Sequence, residues 1–585
     1  MAKQTEPSPI FLRWSEHLPA SDVQDPLGLG LRGSARLASR LLFCVTSITP
    51  RARYFSFIPW CVYDWQQREK GQTFALGLRD AIAVREKGLT LSCIAHHEGN
   101  PCDGGALVGS SKARRWFEKG QSEADFRRLT FAKNPALGAY FNSLVNLGFF
   151  VTENDEVEDS DEEIDQAELT FDDLELSPVG RQLAEQYESL VGGLDSVHKI
   201  SSARRRCAVS SLGEWGKRGG LCELSESSAP DRELLRDVFF ARVPLKGESH
   251  QVRRRSLLLI LDLCRQLTAE NWILNEFAFG SAVYFGEIVS DQGETTRITW
   301  PDPLVEIATR WRMFYFHHYM SVALEGMFAW LVTHVSQKGL AGASVEELVN
   351  GLDADLVRKA LAELLEVRLS GKFGQLTPGQ VLGQFTDAAD ELDATASQRL
   401  DTALRPTRVV SEDRLEGLIR HRTHLQSPTG LAVPLVLLAA TLARYTHWEG
   451  TAIGNWLASA SKDPYLDLIP PVITTGLTRR FGQWWKCSWR QMAAFVLSRY
   501  VVQQHQSMSY EKTTAGDRCL LQVDGKNVLS SATYDKIGMG NPRFRSAMQI
   551  LADLGLLVDR KNKVIVLTKD GKRLLSEELA KEGCR

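Results

Sequence analysis

The sequence lacks every cysteine spacing that would indicate a zinc finger or a disulfide framework. Its ten cysteines are scattered along 585 residues, and no two of them form a C-x-x-C pair. Such scatter favours reduced thiols inside a cell. An H-E-x-x-H motif, a G-x-S-x-G motif and a Rossmann glycine fingerprint are also missing, and each of these would have pointed to a particular class of enzyme. The sequence therefore favours a non-catalytic protein without a cofactor.

Long apolar runs are missing as well. The most apolar stretch, LAVPLVLLAATLA at 431–443, contains a proline and is too short to span a bilayer. The first ten residues, MAKQTEPSPI, show no positively charged start followed by an apolar run, which argues against a signal peptide. We therefore expect a cytoplasmic protein that does not engage a membrane.

The chain has almost no net charge. Its formal charge is -3, with 43% hydrophobic and 24% charged residues. These values exclude wholesale disorder and uniform attraction to nucleic acid, so any such binding must use a local patch. A chain of this length is expected to form about three to five domains.

Helical periodicity dominates what is present. The strongest helix is predicted over 309–335, with Pro301 and Pro303 marking its start. Further helices are predicted within 232–285, 344–367 and 428–505. Few runs alternate in the manner of a strand, and those are short.

Two distant segments match in register. NPALGAYFNSLVNLGFFV (134–151) and NPRFRSAMQILADLGLLV (541–558) share six identical residues at an offset of 407. LSPVGRQL (176–183) and LTKDGKRL (567–574) match at an offset of 391, so the first copy carries a 16-residue insertion. Each copy predicts an amphipathic helix ending at Leu-x-x-Leu-Gly, where glycine favours a left-handed cap, then two short strands and a second helix.

This order of helix, hairpin and helix resembles the winged-helix modules of bacterial DNA-binding regulators. The resemblance implies a mainly α, multidomain fold, in which a helical scaffold carries two winged-helix (α+β) modules. The predicted division is an aromatic and glycine-rich domain at 1–125, a winged helix with an acidic wing insertion at 126–190, a helical domain at 191–300, a helical scaffold at 301–505 and a basic winged helix at 508–585.

The two copies differ in charge. From Asn541 to Arg573 the second copy holds eight basic residues and three acids, whereas residues 153–175 of the first hold thirteen acids and no Lys or Arg. The resemblance implies that the second copy contacts DNA through the start of its recognition helix and through its wing. The predicted contacts are Arg543, Arg545, Arg560, Lys561, Lys563, Lys572 and Arg573. The acidic wing is expected to engage a partner, mimic DNA or restrain the basic surface, unless it is an exposed loop without a role.

Two other basic segments are candidates for phosphate contact. The glycine-rich segment CDGGALVGSSKARRW (102–116) is not a P-loop. Its backbone, with Lys112, Arg114 and Arg115, is a candidate cradle for a nucleic-acid phosphate, and a structural turn is the alternative. A second basic run, residues 253–255, borders an apolar helix and is either a phosphate contact or a solvated helix end. It consists of Arg253, Arg254 and Arg255.

Three further patterns are interpreted mainly as packing. Cys93, His96, His97 and Cys102 lie within ten residues, but zinc sites usually pair two such dyads, so a half-buried loop is favoured over a metal site. The aromatic run at 54–65 predicts either core packing or a base-stacking surface. In the helix predicted at 309–335, His318 and the downstream Glu325 are expected to form a buried hydrogen bond.

At the level of the whole chain, TPRARYFSFIPWCVYDW and WRMFYFHHYMSVALEGMFAWLV are similar to segments of large bacterial proteins found in anti-phage defence loci. This resemblance implies a bacterial defence role and no particular active residue. The leading hypothesis is a DNA-binding, non-catalytic subunit that binds double-stranded DNA together with an ATPase, helicase or nuclease subunit. The alternatives are a protein-interaction scaffold without DNA affinity and a divergent metal-dependent nuclease.

Overall fold

The structure of the chain is a computed structural model in which the predicted mainly helical fold class is confirmed. It describes residues 27–583 apart from 101–104, 133–134, 152–173, 226–228, 246, 271, 290–293, 372, 385–410, 422–426, 428, 449–486, 508–519, 531–533, 535–536, 538–539 and 561–563. None of the described helices combines the length and the apolar character needed to cross a bilayer. The apolar run at 431–443 lies in a helix whose described side chains there are buried among other helices.

The helices of the N-terminal half begin after a short described segment that starts at residue 27. They are α1 (Leu31–Leu41), α2 (Tyr54–Arg68), α3 (Leu78–His96), α4 (Ser110–Phe117), α5 (Ala136–Asn146), α6 (Pro178–Val191), α7 (Asp195–Ile200), α8 (Val209–Gly219), α9 (Asp231–Phe239), α10 (Glu248–Ala269) and α11 (Glu276–Tyr284). A 3₁₀ helix, Leu221–Ser225, follows α8 directly.

The helices of the C-terminal half follow the same chain order. They are α12 (Asp302–Ser336), α13 (Val345–Asn350), α14 (Ala354–Leu365), α15 (Pro378–Gln384), α16 (Glu412–Arg420), α17 (Thr429–Trp448), α18 (Trp489–Val496), α19 (Phe544–Asp553) and α20 (Lys569–Gly583). A π-helical turn, Leu497–Val502, extends α18.

The described strands form four antiparallel pairs. The pairs are β1 (Glu123–Asp125) with β2 (Arg206–Ala208), β3 (Glu287–Val289) with β4 (Thr295–Arg297), β5 (Gln522–Asp524) with β6 (Asn527–Leu529), and β7 (Leu557–Arg560) with β8 (Val564–Leu567). Each pair is an accessory to the helical body, since each strand has only three or four residues.

Aromatic packing organises the N-terminal bundle. Trp60 of α2, Tyr187 of α6 and Trp215 of α8 are fully buried, and the Trp60 ring centroid lies 5.1 Å from that of Tyr187 and 5.8 Å from that of Trp215. Tyr54 and Phe55, which begin α2, are buried as well. The aromatic run at 54–65 is therefore core packing, and a base-stacking surface is wrong for these buried rings because no base can reach them.

The longest helix, α12, is the centre of the C-terminal half. It has 35 residues and begins directly after Pro301, with Pro303 in its first turn, as the sequence predicts. Proline suits this position because the first amides of a helix have no intrahelical acceptor. From Met313 to Val332 every residue is buried, so α12 is a core helix surrounded by α1, α10, α11, α16 and α17.

The helix predicted over 344–367 is divided into α13 and α14. The break lies at Gly351–Asp353, where the Asp353 side chain accepts hydrogen bonds from the backbone N–H groups of Asp355 and Leu356. An aspartate in this position starts a new helix because it satisfies two of the unpaired amides. The residues SVEELVNGLDADL therefore encode a helix end and a helix start.

The two matched segments form the same local structure. In the first copy, α5 leads through the isolated antiparallel bridge Phe150–Leu176 to α6. In the second, α19 leads through the β7–β8 hairpin to α20. Gly148 and Gly555, one residue beyond each helix cap, have φ of 70° and 68°. The predicted helix, hairpin and helix are thus present in the second copy, whereas the described part of the first copy has the two helices and a single antiparallel bridge between them.

A second pair of glycines confirms the match at atomic detail. A Cβ added to Gly180 would lie 2.1 Å from the Phe149 carbonyl oxygen, and one added to Gly571 would lie 2.2 Å from that of Leu556. In both copies a hydroxyl three residues before the glycine accepts a hydrogen bond from its N–H, from Ser177 at 3.1 Å and from Thr568 at 3.0 Å. Only glycine lets the second helix approach the hairpin so closely.

The second copy is packed into the helical body. The Phe544 ring of α19 stacks on Phe279 of α11 with a centroid distance of 4.9 Å. Cys264 of α10 donates to the Ile565 carbonyl of β8 at 3.5 Å. These contacts place α10 and α11 against one side of the second copy.

Candidate functional site

The helix expected to read DNA, α19, faces inward. Among its ten residues only Arg545 is exposed; seven are buried, including Phe544, Ile550 and Asp553. The corresponding helix of the first copy, α5, exposes only Gly138. A recognition helix must present several side chains to the groove, so in this structure α19 cannot read bases as the resemblance implies.

Arg543 is also turned toward the protein. It has φ of 56° and precedes α19; its guanidinium donates to the Val45 carbonyl oxygen at 2.9 Å and to the hydroxyl of Ser39. This half-buried side chain ties the second copy to α1 and the segment after it. The prediction that Arg543 contacts DNA is therefore not supported by its position.

A buried contact joins the two copies through the segment before α2. Arg51 Nε lies 2.9 Å from the Asp553 carboxylate, and the Ala52 N–H donates to the same oxygen at 2.9 Å. The Arg51 N–H donates to the Tyr140 hydroxyl of α5 at 3.0 Å. Burial raises the pKa of Asp553, against the opposing effects of Arg51 and the hydrogen bonds that it accepts. Both copies thus contact a single residue, Arg51.

The remaining basic residues of the second copy lie at its surface or outside the described part. Arg545 is 90% exposed, and its Nε lies 3.1 Å from Glu276. Lys572 and Arg573 are exposed on the first turns of α20, and Arg573 lies 3.4 Å from Asp570. Lys561 and Lys563 lie outside the described residues, as does the side chain of Arg560, the last residue of β7.

The arginines of α10 are structural. Arg253 is fully buried and donates to the Phe239 and Val238 carbonyl oxygens at 3.1 and 2.8 Å. Arg254 is 5% exposed and lies 2.6 Å from Glu578 of α20. The expectation that these two residues contact phosphate is wrong in this structure, because neither guanidinium can be reached.

Arg255 completes the link between α10 and α20. Its guanidinium lies 3.1 Å from Glu582, which also pairs with Arg254 at 2.5 Å. Lys581 and Arg254 lower the pKa of Glu578, and Arg255 and Arg254 lower the pKa of Glu582, in both cases against the effect of burial. Arg255 therefore holds α20 in place and has an internal partner for its charge.

The glycine-rich segment ends in a short exposed helix. Lys112, Arg114 and Arg115 of α4 are exposed, and Arg114 lies 3.0 Å from Glu118. Gly109, with φ of 78°, begins the helix against Phe131. The three cations remain accessible to a phosphate. Gly109 is explained by the left-handed conformation that the chain adopts where α4 begins.

The two histidines of the sequence CIAHHEGNPC contact residues that lie outside this sequence, Cys222 and Glu223. His96 and His97 lie at the C-terminal end of α3; Cys93 is buried and Cys102 lies outside the described residues. His97 Nε2 lies 3.2 Å from Cys222 Sγ, and His96 Nε2 lies 3.1 Å from a Glu223 carboxylate oxygen.

We call these four residues the His–Cys cluster. It consists of His96, His97, Cys222 and Glu223. One ligand atom from each of the first three lies within 4.8 Å of the others, and all three residues are partly exposed. Cys222 follows His97 by 125 residues, so no spacing rule applied to the sequence could have found it.

A second buried polar group lies between α12 and α16. His318 Nε2 lies 2.5 Å from Glu416, which also pairs with Arg420. The predicted partner of His318, Glu325, lies on the same face of α12 but about two turns further along the axis, and His318 pairs with Glu416 instead, so that expectation is wrong. The neighbouring His317 is buried, has no hydrogen-bond partner among the described residues, and has a pKa lowered by burial to about 3. These groups are enclosed by helices and offer no approach for a substrate.

No family model, no curated protein and no solved structure matches this chain. Its function has to be inferred from the chemistry of its own residues.

Proposed function

We propose that this chain is a DNA-binding, non-catalytic subunit of a bacterial multi-protein system. It binds the phosphates of the DNA backbone and does not read the bases. The observation that carries the proposal is the β7–β8 hairpin. Its four-residue strands pair from Leu557–Leu567 to Arg560–Val564, and residues 561–563 connect them. The connecting residues, Lys561, Asn562 and Lys563, follow directly after Arg560.

The charge around this hairpin supports backbone contact. Between Asp559 and Arg573 the sequence holds six basic residues and two acids. Lys569 and Lys572 are exposed on the start of α20. Cations in the loop of a hairpin and on a neighbouring helix can neutralise several phosphates and release counterions.

The burial of α19 decides the binding mode. Sequence is read by side chains that reach base edges in a groove, whereas phosphate contacts carry no sequence information. Since Arg545 is the one exposed residue of α19, base readout through this helix is not available. The expected activity is therefore salt-sensitive binding that varies little with DNA sequence.

We infer that the acidic insertion of the first copy either restrains the basic surface at the β7–β8 hairpin or binds a protein partner. Its thirteen acids occupy residues 153–175, most of which lie outside the described residues. The bridge Phe150–Leu176 holds the base of the insertion at the position where the second copy has its β7–β8 hairpin. Because the insertion is acidic and the β7–β8 hairpin is basic, the insertion can occupy the basic surface in place of DNA or bind a basic partner.

Binding of labelled duplex DNA by the full chain, measured by fluorescence anisotropy over a range of salt concentrations, tests the proposal. Replacing Lys561 and Lys563 by Ala should lower the slope of log K against log salt by about two, at about 0.9 per lost phosphate contact. Replacing Lys359 and Lys526 by Ala provides a matched control, because both are exposed lysines elsewhere in the chain. Absent or salt-insensitive binding of DNA by the wild-type chain would refute the proposed function.

A second candidate is a protein-interaction scaffold without DNA affinity. It is favoured by the burial of α5 and α19, which makes both copies part of the helical body. In that case the partners, an ATPase, helicase or nuclease subunit of the same system, would be captured in a DNA-free pull-down. Stable capture that survives nuclease treatment, together with no shift of labelled DNA, would select this candidate.

A further inference from the structure

We propose that the His–Cys cluster is a transition-metal site that takes a zinc ion. The cluster brings together two imidazoles and a thiol from the end of α3 and the 3₁₀ helix Leu221–Ser225, and the Glu223 carboxylate contacts one of the imidazoles. Imidazole nitrogen and thiolate sulfur are the ligands that zinc prefers, whereas calcium and magnesium prefer oxygen alone. The proposal is independent of DNA binding.

The distances among His96, His97 and Cys222 are close to those of three ligands around one tetrahedral ion. Zinc bonds of about 2.0 to 2.1 Å to nitrogen and 2.3 Å to sulfur place tetrahedral donors about 3.3 to 3.6 Å apart. Here His97 Nε2 lies 3.2 Å from Cys222 Sγ, and His96 Nε2 lies 3.1 Å from Glu223 Oε1. The His97–Cys222 pair therefore needs to open by only a few tenths of an ångström, and the ligand atoms of His96, His97 and Cys222 already lie within 4.8 Å of one another.

The backbone brings the two histidines to the same side. His96 ends α3 and His97 is its C-cap, after which Glu98 and Gly99 adopt φ of 52° and 96°. Their ring centroids are 4.6 Å apart. Adjacent residues inside a regular helix point about 100° apart, so the helix end is what allows both rings to converge.

Close packing of α3 on α8 holds Cys222 and Glu223 opposite the histidines. A Cβ on Gly216 would lie 2.1 Å from the Ser92 carbonyl oxygen and 2.7 Å from the His96 Cβ. A Cβ on Gly220 would lie 2.3 Å from the Gly216 carbonyl oxygen. The Gly220 contact is within its own chain segment, so Gly216 is the glycine that lets α3 and α8 approach until the 3₁₀ helix that follows α8 lies beside the end of α3.

The cluster is accessible enough to load an ion from solution. The side chains of His96 and Glu223 are 24% and 25% exposed. On binding, the Cys222 thiol loses its proton to solvent and the resulting thiolate bonds the metal, while both imidazoles bind as neutral ligands. With three protein ligands, the fourth position of a tetrahedral ion is open to water, and the Glu223 carboxylate, 3.1 Å from His96 Nε2, orients that imidazole.

The ion would also support the second copy. The Ser225 carbonyl oxygen, at the end of the 3₁₀ helix, accepts a hydrogen bond from Arg232 at 2.8 Å. A Cβ on Gly555 would lie 3.2 Å from the same oxygen. The turn after α19 therefore packs against the 3₁₀ helix Leu221–Ser225. Fixing the 3₁₀ helix to α3 would therefore stiffen the place where α19 ends.

The test is metal binding by the full chain after removal of bound metal with a chelator. We expect one zinc per chain by mass spectrometry, and with cobalt(II) a visible spectrum of a tetrahedral ion with a thiolate charge-transfer band. Cys222→Ser should abolish that band and the stoichiometric zinc. Cys487→Ser, at a partly exposed cysteine elsewhere, is the matched control and should retain both.

Two further measurements separate ligand loss from misfolding. Glu223→Gln should weaken zinc binding yet keep the thiolate band, because the sulfur ligand remains. Alkylation of Cys222 by iodoacetamide should slow on adding zinc to the wild-type chain. A wild-type chain that takes up no stoichiometric zinc, or a folded Cys222→Ser variant that binds zinc as tightly as wild type, would overturn the proposal.

Discussion

The Arg51 guanidinium lies 2.9 Å from the Asp553 carboxylate across 502 residues of sequence, and both side chains are almost fully buried. The pair joins the segment before α2 to the end of α19. Removing one member of a buried pair costs about 3–5 kcal/mol, because the other charge is left without a partner.

Asp553→Ala should therefore loosen the second copy. We expect faster hydrogen exchange in α19 and the β7–β8 hairpin, and a lower unfolding midpoint. Asp559→Ala is the matched control, because Asp559 is an exposed aspartate of the same copy. Equal protection in the two variants would show that the Arg51 contact does not stabilise the second copy.

The paired glycines give a second prediction. Gly180→Ala and Gly571→Ala should each destabilise the chain by about 1–3 kcal/mol, since the added methyl would meet a backbone carbonyl. Gly138→Ala in α5 is the control: nothing lies within 4 Å of its added Cβ, and alanine favours a helix by about 0.5–1 kcal/mol. Thermal unfolding, followed by circular dichroism, distinguishes the destabilisation expected at Gly180 and Gly571 from the stabilisation expected at Gly138.

Buried histidine makes stability depend on pH. Burial lowers the pKa of His317 from its usual 6.5 to about 3, so the unfolded chain binds a proton in this window and the folded chain does not. Stability is therefore lost as the pH falls from 6.5 toward 3, by about 2 kcal/mol between pH 7 and pH 5.

His317→Phe should remove this part of the pH dependence, because phenylalanine has no proton to gain. Urea unfolding at pH 7 and pH 5 measures the difference between the two proteins. His198→Gln is the control, since His198 is exposed and meets solvent in both states. An unchanged difference in His317→Phe would assign the acid sensitivity to other groups, such as His250, whose pKa burial also lowers to about 3.

The acidic insertion can be removed without disturbing its base. The Val151 N–H donates to the Glu175 carbonyl oxygen at 2.9 Å, so a short Asn-Gly turn in place of residues 153–173 should leave α5 and α6 folded. If the insertion restrains the basic hairpin, DNA affinity at low salt should rise about tenfold or more. A Gly-Ser segment of equal length separates the effect of charge from that of length, and an unchanged affinity in both variants would contradict the restraint.

Local patterns predicted much of the fold. Pro301 and Pro303 correctly marked the start of α12, and the matched Leu-x-x-Leu-Gly segments correctly placed the caps at Gly148 and Gly555. These features depend on backbone geometry within a few residues, which is why periodicity and turn chemistry detect them.

The candidate sites were harder to predict because their partners are distant in sequence. The sequence suggests that Arg254 belongs to a solvated basic run. In the fold its guanidinium pairs with Glu578, which is 324 residues away in the sequence. Cys222 lies 125 residues from His97. Burial of α19 likewise depends on α10 and α11 packing against it, which no pattern within α19 reveals.

The pairing of α10 with α20 also orders events during synthesis. At about 5–20 residues per second, the 324 residues between Arg254 and Glu578 take on the order of tens of seconds to translate. During that interval the guanidinium of Arg254 has no Glu578 with which to pair. Chains that end before residue 578 lack the partner of Arg254, so the ion pair that fixes α20 to α10 is absent from them.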